Sequence, residues 1–172
     1  MSIELRLEPW SEGDFELLVR NNAPEMTDHL GGPESDGKLA DRHRRYLALR
    51  ESEGRGQMFR ISAGPDAPAV GSIGYWETTW QGQPAWETGW GVLPEFQGRG
   101  IAAAAARLVV ERAREAGRHR HLHAFPSVDH PASNGVCRKA GFTLLGECAF
   151  EYPKGHWMRC NDWRLELEPE PA

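Results

Sequence analysis

The sequence has few cysteines and no long apolar run. Its three cysteines, Cys137, Cys148 and Cys160, show no CxxC spacing, which argues against a disulfide framework and against a structural zinc site. No apolar stretch approaches the roughly 20 residues of a membrane span. The first residues, MSIELRLEPW, contain no basic segment followed by an apolar one. We therefore expect a reduced, cytoplasmic protein without a membrane partner.

An excess of positive charge is also missing. The chain carries 20 lysines and arginines against 25 aspartates and glutamates, a formal net charge of -5. General affinity for nucleic acid depends on a basic surface that neutralises phosphates, so no nucleic-acid partner is expected. The length of 172 residues, 40% of them hydrophobic, predicts one globular domain over residues 1–168 and a frayed tail over 169–172.

Hydrophobic periodicity predicts a mixed α/β order along the chain. A period of two indicates strands, and a period near 3.6 indicates helices. The glycine-rich segment 26–37 and the QGQP and PKG turns (81–84 and 153–155) separate these elements. The predicted strands cover 3–8, 57–62, 69–79, 85–93, 120–126, 142–152 and 156–167, and the predicted helices cover 15–22 (capped by Ser11), 38–54, 101–117 and 132–140.

The stretch PEFQGRGIAAAAA (94–106) joins a strand to a helix through two glycines. The first turn of a helix has unpaired N–H groups and attracts phosphate where no side chain blocks the approach. Three interpretations compete: a simple tight connection, a P-loop and a dinucleotide site. A P-loop is excluded because no GK[ST] follows, and a dinucleotide fold because GRHRHLH (117–123) has no acidic residue and the preceding strands are joined by hairpins.

QGRGIA (97–102) resembles the Q/R-x-x-G-x-G/A signature of the GNAT superfamily of acyl-CoA-dependent N-acyltransferases. ASNGVCRKAGF (132–142) resembles the second half of the GNAT core, and TDHLGGPES (27–35) is similar to the ribosomal-protein N-terminal acetyltransferases, the Rim type. The resemblance implies a mixed, mostly antiparallel sheet of about seven strands, flanked by about four helices, in which the fourth and fifth strands splay apart.

The resemblance also implies acetyl-CoA as co-substrate. In GNAT proteins the glycine turn holds the pyrophosphate, and the free edge of the fourth strand pairs with the pantetheine arm. Gly89 and Gly91 within that strand indicate a bulge, a close approach of another chain or sheet twist. Asn134 is a second candidate for CoA binding or a helix N-cap. The expected CoA-binding residues are Trp90, Gly91, Val92, Leu93, Gln97, Gly98, Arg99, Gly100, Ile101, Ala102 and Asn134.

Acetyl transfer to an amine needs a base for the ammonium proton and an acid for the thiolate. Glu87, among aromatic residues of the fourth predicted strand, is the candidate base, with an ordinary surface ion pair as the alternative and Glu77 in reserve. A backbone N–H near Val92 or Leu93 would stabilise the oxyanion. Cys137, otherwise a small buried hydrophobe, and Tyr152 are the candidate acids.

The acceptor side is less defined by the sequence. Asp28, His29 and Trp76 are the expected substrate-binding residues, although loop aspartates also fix turns and tryptophans pack sheets. His119, His121 and His123 alternate as some zinc ligands do, but GNAT chemistry needs no metal and we expect none. The acceptor is a small-molecule or peptide amine, with the acidic net charge favouring cations. An inactive acyl-CoA sensor is the alternative function, and a homodimer is expected from the resemblance.

Overall fold

The computed structural model describes residues 4–64, 66–152 and 154–168. Apart from a short helix over Pro24–Thr27, the strands and helices follow one another in the order that the periodicity predicts. The strands are β1 (Arg6–Pro9), β2 (Gly56–Ser62), β3 (Ala69–Trp80), β4 (Gln83–Val92), β5 (His121–Ala124), β6 (Thr143–Glu151) and β7 (Trp157–Glu166). The α-helices are α1 (Phe15–Asn21), α2 (Pro24–Thr27), α3 (Asp36–Arg50), α4 (Ile101–Ala116) and α5 (Pro131–Lys139), and two 3₁₀ turns cover Glu12–Asp14 and Pro94–Phe96.

The seven strands form one sheet in the order β1-β2-β3-β4-β5-β7-β6. All neighbouring pairs are antiparallel except β4 and β5, which run parallel. The β4–β5 pairing covers only Trp86 with Leu122 and Glu87 with His123, while β4 continues to Val92. The two strands therefore splay apart after Glu87, and the predicted fold class is confirmed.

Strand alternation divides the core between the two faces of the sheet. On one face α4 packs through its small residues, Ala105 and Ala113 among them, against a cluster that contains Ile73 and Trp86. On the other face α1 packs beside Met58, in a cluster that contains Trp10 and to which Tyr46 of α3 adds. The Glu87 side chain belongs to this second face, because Trp86, one residue earlier, is buried against α4.

Several predicted boundaries differ from the structure. The helix predicted over 38–54 runs from Asp36 to Arg50, because the Ser35 side chain caps it by accepting from the Lys38 N–H. The helix α2 was not predicted. It starts with Pro24 and ends at Thr27, so it overlaps the first residues of the predicted loop 26–37. The predicted strand 120–126 is only four residues long as β5. Pro153, in the predicted PKG turn, and the predicted tail 169–172 lie outside the described residues.

Candidate active site

The free edge of β4 begins where β5 leaves it. The Leu93 N–H donates to the Val70 carbonyl of β3 at 2.9 Å. Because backbone groups alternate in direction along an antiparallel strand, those of Trp90 and Val92 point toward the opposite edge, which β5 no longer covers. The side-chain amide of Gln97 donates a hydrogen bond to the Val92 carbonyl at 2.9 Å. The Val92 N–H is therefore available at this edge, whereas that of Leu93 is already used.

Gly89 and Gly91 do not form a bulge, since the β3–β4 register is regular throughout. A Cβ on Gly89 would lie 3.1 Å from Cη2 of the Trp76 indole, and one on Gly91 would lie 3.5 Å from Oδ1 of Asn21. The first contact is tight and the second is ordinary. Gly89 thus allows the Trp76 side chain to lie across β4, while the close approach of another chain stays a prediction.

The turn before α4 has the backbone of an anion site. Gly98 and Gly100 have φ angles of +75° and +77°, a left-handed conformation that side-chain-bearing residues rarely adopt. A Cβ on either glycine would meet no atom within 4 Å, so the space above the turn is open. Gly100 is the N-cap of α4, no side chain caps the helix and no acidic residue stands in its first turn. Arg99 lies over the Phe96 ring at 5.7 Å.

A cavity of about 1320 Å³ connects this turn with Glu87. Its walls include Gly98 and Ile101 near the start of α4, Val136 of α5 and residues of α3 on the other face of the sheet. The cavity therefore passes through the gap between β4 and β5. It brings together these predicted residues: Trp76, Glu87, Trp90, Gly91, Val92, Gln97, Gly98, Gly100, Ile101, Ala102, His29 and Tyr152.

Glu87 lies in this cavity, partly buried, opposite Trp76 of β3. Burial raises the pKa of Glu87 to about 7, and a hydrogen bond from the Trp76 indole opposes the rise. The reserve candidate, Glu77, points to the other face and accepts hydrogen bonds from Arg118 at 2.9 Å and His119 at 3.0 Å. Although burial acts to raise the pKa of Glu77, these bonds lower it. Glu87 is thus the carboxylate suited to exchange protons near neutrality.

The two predicted acids occupy different environments. Cys137 is fully buried in the core beside α4, and burial raises the pKa of its thiol to about 12. Tyr152 lines the cavity, and burial likewise raises the pKa of its phenol. Its ring lies 5.5 Å from the Arg42 guanidinium carbon. Of the two candidates, Tyr152 is the one that the fold brings to the cavity.

Asn134 is held by internal hydrogen bonds. Its amide nitrogen donates to the carbonyls of Ser127 and His130, at 2.9 and 2.8 Å, and its oxygen accepts from Asn161 and the Trp163 indole, each at 2.8 Å. It is not the N-cap of α5, because that position belongs to His130. The side chain ties α5 to β7. Direct CoA binding by Asn134 stays a prediction that these contacts do not support.

The loop after α2 brings one of the two predicted substrate-binding residues it contains to the cavity. Asp28 is exposed and is the C-cap of α2. His29 lines the cavity and stacks on His130 with ring centroids 4.2 Å apart. The loop is anchored by Asn22, which donates to the Glu34 carbonyl at 2.9 Å and accepts from the Glu34 N–H at 2.7 Å.

Two polar pairs escaped the sequence reasoning. Arg42 of α3 binds the Glu34 carboxylate, and no helical spacing signals this pair, because Glu34 lies eight residues earlier and precedes the helix. His123 shares a buried hydrogen bond of 2.6 Å with Asp162. Nothing local in the sequence predicts that second pair, since β5 and β7 meet only in the folded sheet. No group of His, Cys, Asp or Glu within 4–64, 66–152 and 154–168 is arranged to hold a metal ion.

The fold of this chain is similar to that of known acetyltransferases whose structures have been solved. Three of them each have a TM-score of 0.76 with this chain. One is an acetyltransferase from Salmonella typhimurium that modifies the N-terminal serine of ribosomal protein L7/L12, at 22% identity over 97% of both chains. Another is spermidine N-acetyltransferase from Vibrio cholerae with CoA and spermine, at 16% identity over 96% of this chain and 97% of that one. The third is the microcin C7 self-immunity acetyltransferase MccE with acetyl-CoA and AMP, at 17% over 96% and 93%.

Curated protein sequences give no match. No helix among the described residues is both long and apolar enough to span a membrane. The acetyltransferase (GNAT) domain pattern matches residues 4–143, well over half of the chain. Together with the splayed β4–β5 pair and the glycine turn before α4, this match shows that the chain belongs to the GNAT family of acetyltransferases.

Proposed function

We propose that the protein transfers the acetyl group of acetyl-CoA to a primary amine by direct attack in a ternary complex. The observation that carries the proposal is Glu87, a carboxylate with a pKa near 7 in the same cavity as the open N-terminus of α4. The fold neighbours with CoA or acetyl-CoA bound support the choice of co-substrate.

Acetyl-CoA would place its pyrophosphate on the N–H groups at the start of α4, where the macrodipole favours negative charge. Its pantetheine arm would pair with the open edge of β4 at Trp90 and Val92, as an added strand. The Val92 N–H would then donate to the thioester oxygen as negative charge develops there. This assigns to Val92 the oxyanion role for which the sequence offered Val92 or Leu93.

Glu87 would remove a proton from the acceptor ammonium, directly or through a water molecule. The neutral amine nitrogen then attacks the acetyl carbon, the tetrahedral intermediate loses a second proton from that nitrogen to water, and its collapse breaks the carbon–sulfur bond. The products are an amide and a CoA thiolate, which takes up a proton. Tyr152 is the proposed donor of that proton, since it lines the cavity and Cys137 does not.

The acceptor is a peptide N-terminus or a small amine. The neighbours include an enzyme for an N-terminal serine and one for spermidine, so the fold alone does not select between them. The similarity of residues 27–35 to Rim-type enzymes favours the peptide. A cytoplasmic location and a homodimer stay predictions.

Two measurements test the proposal. Acetyl-CoA at about 100 times its dissociation constant stabilises a protein that binds it by about 2.7 kcal/mol, which a thermal melt detects as a higher Tm. A thiol reagent then follows CoA release across a panel of amines. No Tm shift at millimolar acetyl-CoA contradicts the cofactor assignment. A Tm shift without turnover of any amine would instead indicate an inactive acyl-CoA-binding module.

A further inference from the structure

One face of α3 is turned toward the cavity. Arg42, Arg45, Tyr46 and Leu49 follow the i, i+3, i+4, i+7 spacing of a single helical stripe, and all four line the cavity. Arg55, just after the helix, lines it as well. Three arginines therefore border the part of the cavity that lies on the Glu87 side of the sheet.

Arg42 is held in a fixed direction. Its side chain is 14% exposed, and its Nε and Nη2 both bind the same oxygen of Glu34, at 2.8 and 2.6 Å. Its Nη1 is 3.5 Å from the Tyr46 hydroxyl, too far for a strong hydrogen bond. The guanidinium thus keeps donor capacity that Glu34 does not use. An arginine prepared in this way is well suited to a planar carboxylate.

Arg45 and Arg55 are exposed and have no ion pair or side-chain hydrogen bond with any other residue in the described part of the chain. The neighbouring Arg44, by contrast, pairs with Asp41 and does not line the cavity. Arg45 and Arg55 therefore present uncompensated positive charge at the cavity wall.

Two of the described carboxylates that line the same cavity are already paired with arginines. Glu34 is bound to Arg42, and Glu77 to Arg118 on the other face of the sheet. Glu151 accepts from the Gly155 backbone N–H at 3.0 Å. Besides the catalytic candidate Glu87, the remaining lining carboxylate is Glu25, which is exposed on α2. The local charge at α3 is basic although the whole chain carries a net charge of -5.

We infer that the acceptor is an amine that also carries a carboxylate, and that Arg42, Arg45 and Arg55 form the subsite for that carboxylate. The inference rests on the proposed acetyl transfer. It reverses the expectation of a cationic acceptor, which was drawn from the net charge, because the field at a site is set by the nearest charges. The carboxylate can belong to an acidic peptide or to a small amino acid.

Matched acceptors test the subsite. A peptide that begins Ser-Glu-Glu is compared with one that begins Ser-Gln-Gln, and β-alanine with β-alaninamide, by the kcat/KM for CoA release. The acidic member of the preferred pair should exceed its neutral partner by about tenfold or more, the effect of one charge-assisted hydrogen bond. The pair that shows the preference identifies the source of the carboxylate. Spermidine should be a poor acceptor.

Charge reversal supplies the second arm. The double substitution Arg45→Glu with Arg55→Glu should reduce the acidic-to-neutral ratio to about one or below and improve spermidine turnover. Arg44→Glu, on the same helix but away from the cavity, should keep the wild-type ratio. Arg42→Met is combined with Glu34→Gln, so that no carboxylate is left unpaired, and should also lower the ratio. A ratio near one in the wild type, or an unchanged ratio after the reversal, overturns the subsite.

Failure of the subsite and failure of the proposed function remain distinguishable. If no amine releases CoA, acetyl transfer is contradicted, and calorimetric binding of the two peptides to the CoA-loaded protein decides the subsite. Tighter binding of the acidic peptide, lost on the charge reversal, supports it. Equal binding of the two peptides refutes it.

Discussion

Replacing Glu87 with glutamine should stabilise the protein at alkaline pH. Burial raises the pKa of Glu87 from 4.5 to about 7, so the folded state binds the proton more tightly than the unfolded state does. Each pKa unit corresponds to about 1.4 kcal/mol, and the shift therefore amounts to about 3 to 4 kcal/mol at most. Well below pH 4.5 Glu87 is protonated in both states and costs no stability. Between pH 4.5 and 7 the unfolded state releases this proton while the folded state keeps it, so stability falls progressively, and above pH 7 the loss is constant because both states are ionised.

Urea unfolding at pH 5 and pH 8 measures this difference. Glu87→Gln keeps a side-chain oxygen that can accept from the Trp76 indole, and it removes the charge. The variant should match the wild type within about 1 kcal/mol at pH 5 and exceed it by up to about 3 to 4 kcal/mol at pH 8. Glu4→Gln, at an exposed position, is the control and should show no such pH dependence. An equal difference at both pH values would refute the raised pKa.

A rise in pH should increase the activity of the wild type, although it lowers its stability. With a pKa of about 7, about a tenth of Glu87 is ionised at pH 6 and about nine tenths at pH 8, so kcat/KM should rise roughly tenfold per pH unit below 7. Glu87→Gln should lose this limb of the profile and about 10²- to 10⁴-fold in kcat, with little change in acetyl-CoA affinity. Unchanged turnover would remove Glu87 from the mechanism.

Three further experiments test the roles of Gly100, of Asn134 and of the two candidate acids. Gly100→Ala and Gly82→Ala impose the same strain, at φ +77° and +78°, and should each cost about 1 kcal/mol in urea unfolding, but calorimetry should detect weaker acetyl-CoA binding only for the first. Asn134→Ala should cost about 2 to 3 kcal/mol because it leaves buried partners unsatisfied; a loss below 0.5 kcal/mol in urea unfolding would contradict this. Tyr152→Phe should lower kcat by about tenfold or more while Cys137→Ala leaves it near wild type in the thiol assay, and the reverse pattern would make Cys137 the acid.

Local signals explain why much of the fold could be predicted. The switch from a period of two to a period of 3.6 marks β4 and α4, and the glycines at 98 and 100 mark the turn between them. These signals depend on neighbouring residues, whose backbone preferences act in any context. The family prediction drew on the same continuous segments and is confirmed by the GNAT match over residues 4–143. The boundaries predicted for α3 were wrong and α2 was not predicted, because caps and prolines override a weak hydrophobic pattern.

Roles that depend on distant partners could not be predicted in this way. The sequence proposed Asn134 for CoA or for an N-cap, and the structure uses its amide to join α5 to β7. Cys137 was a candidate acid, and it is sealed in the core. Both outcomes depend on which strand lies beneath α5, and strand order is a long-range property.

Continuous stretches of this chain were therefore sufficient for its element order, its family and the glycine turn before α4, because the chemistry of each lies within a few neighbouring residues. Only the folded structure distinguishes the environments of Glu87 and Glu77, because the two carboxylates lie on opposite faces of the sheet and have different partners there. Folding also places Arg42, Arg45 and Arg55 at the cavity wall. Net charge is a sum over the sequence, whereas the charge that an acceptor meets depends on distance.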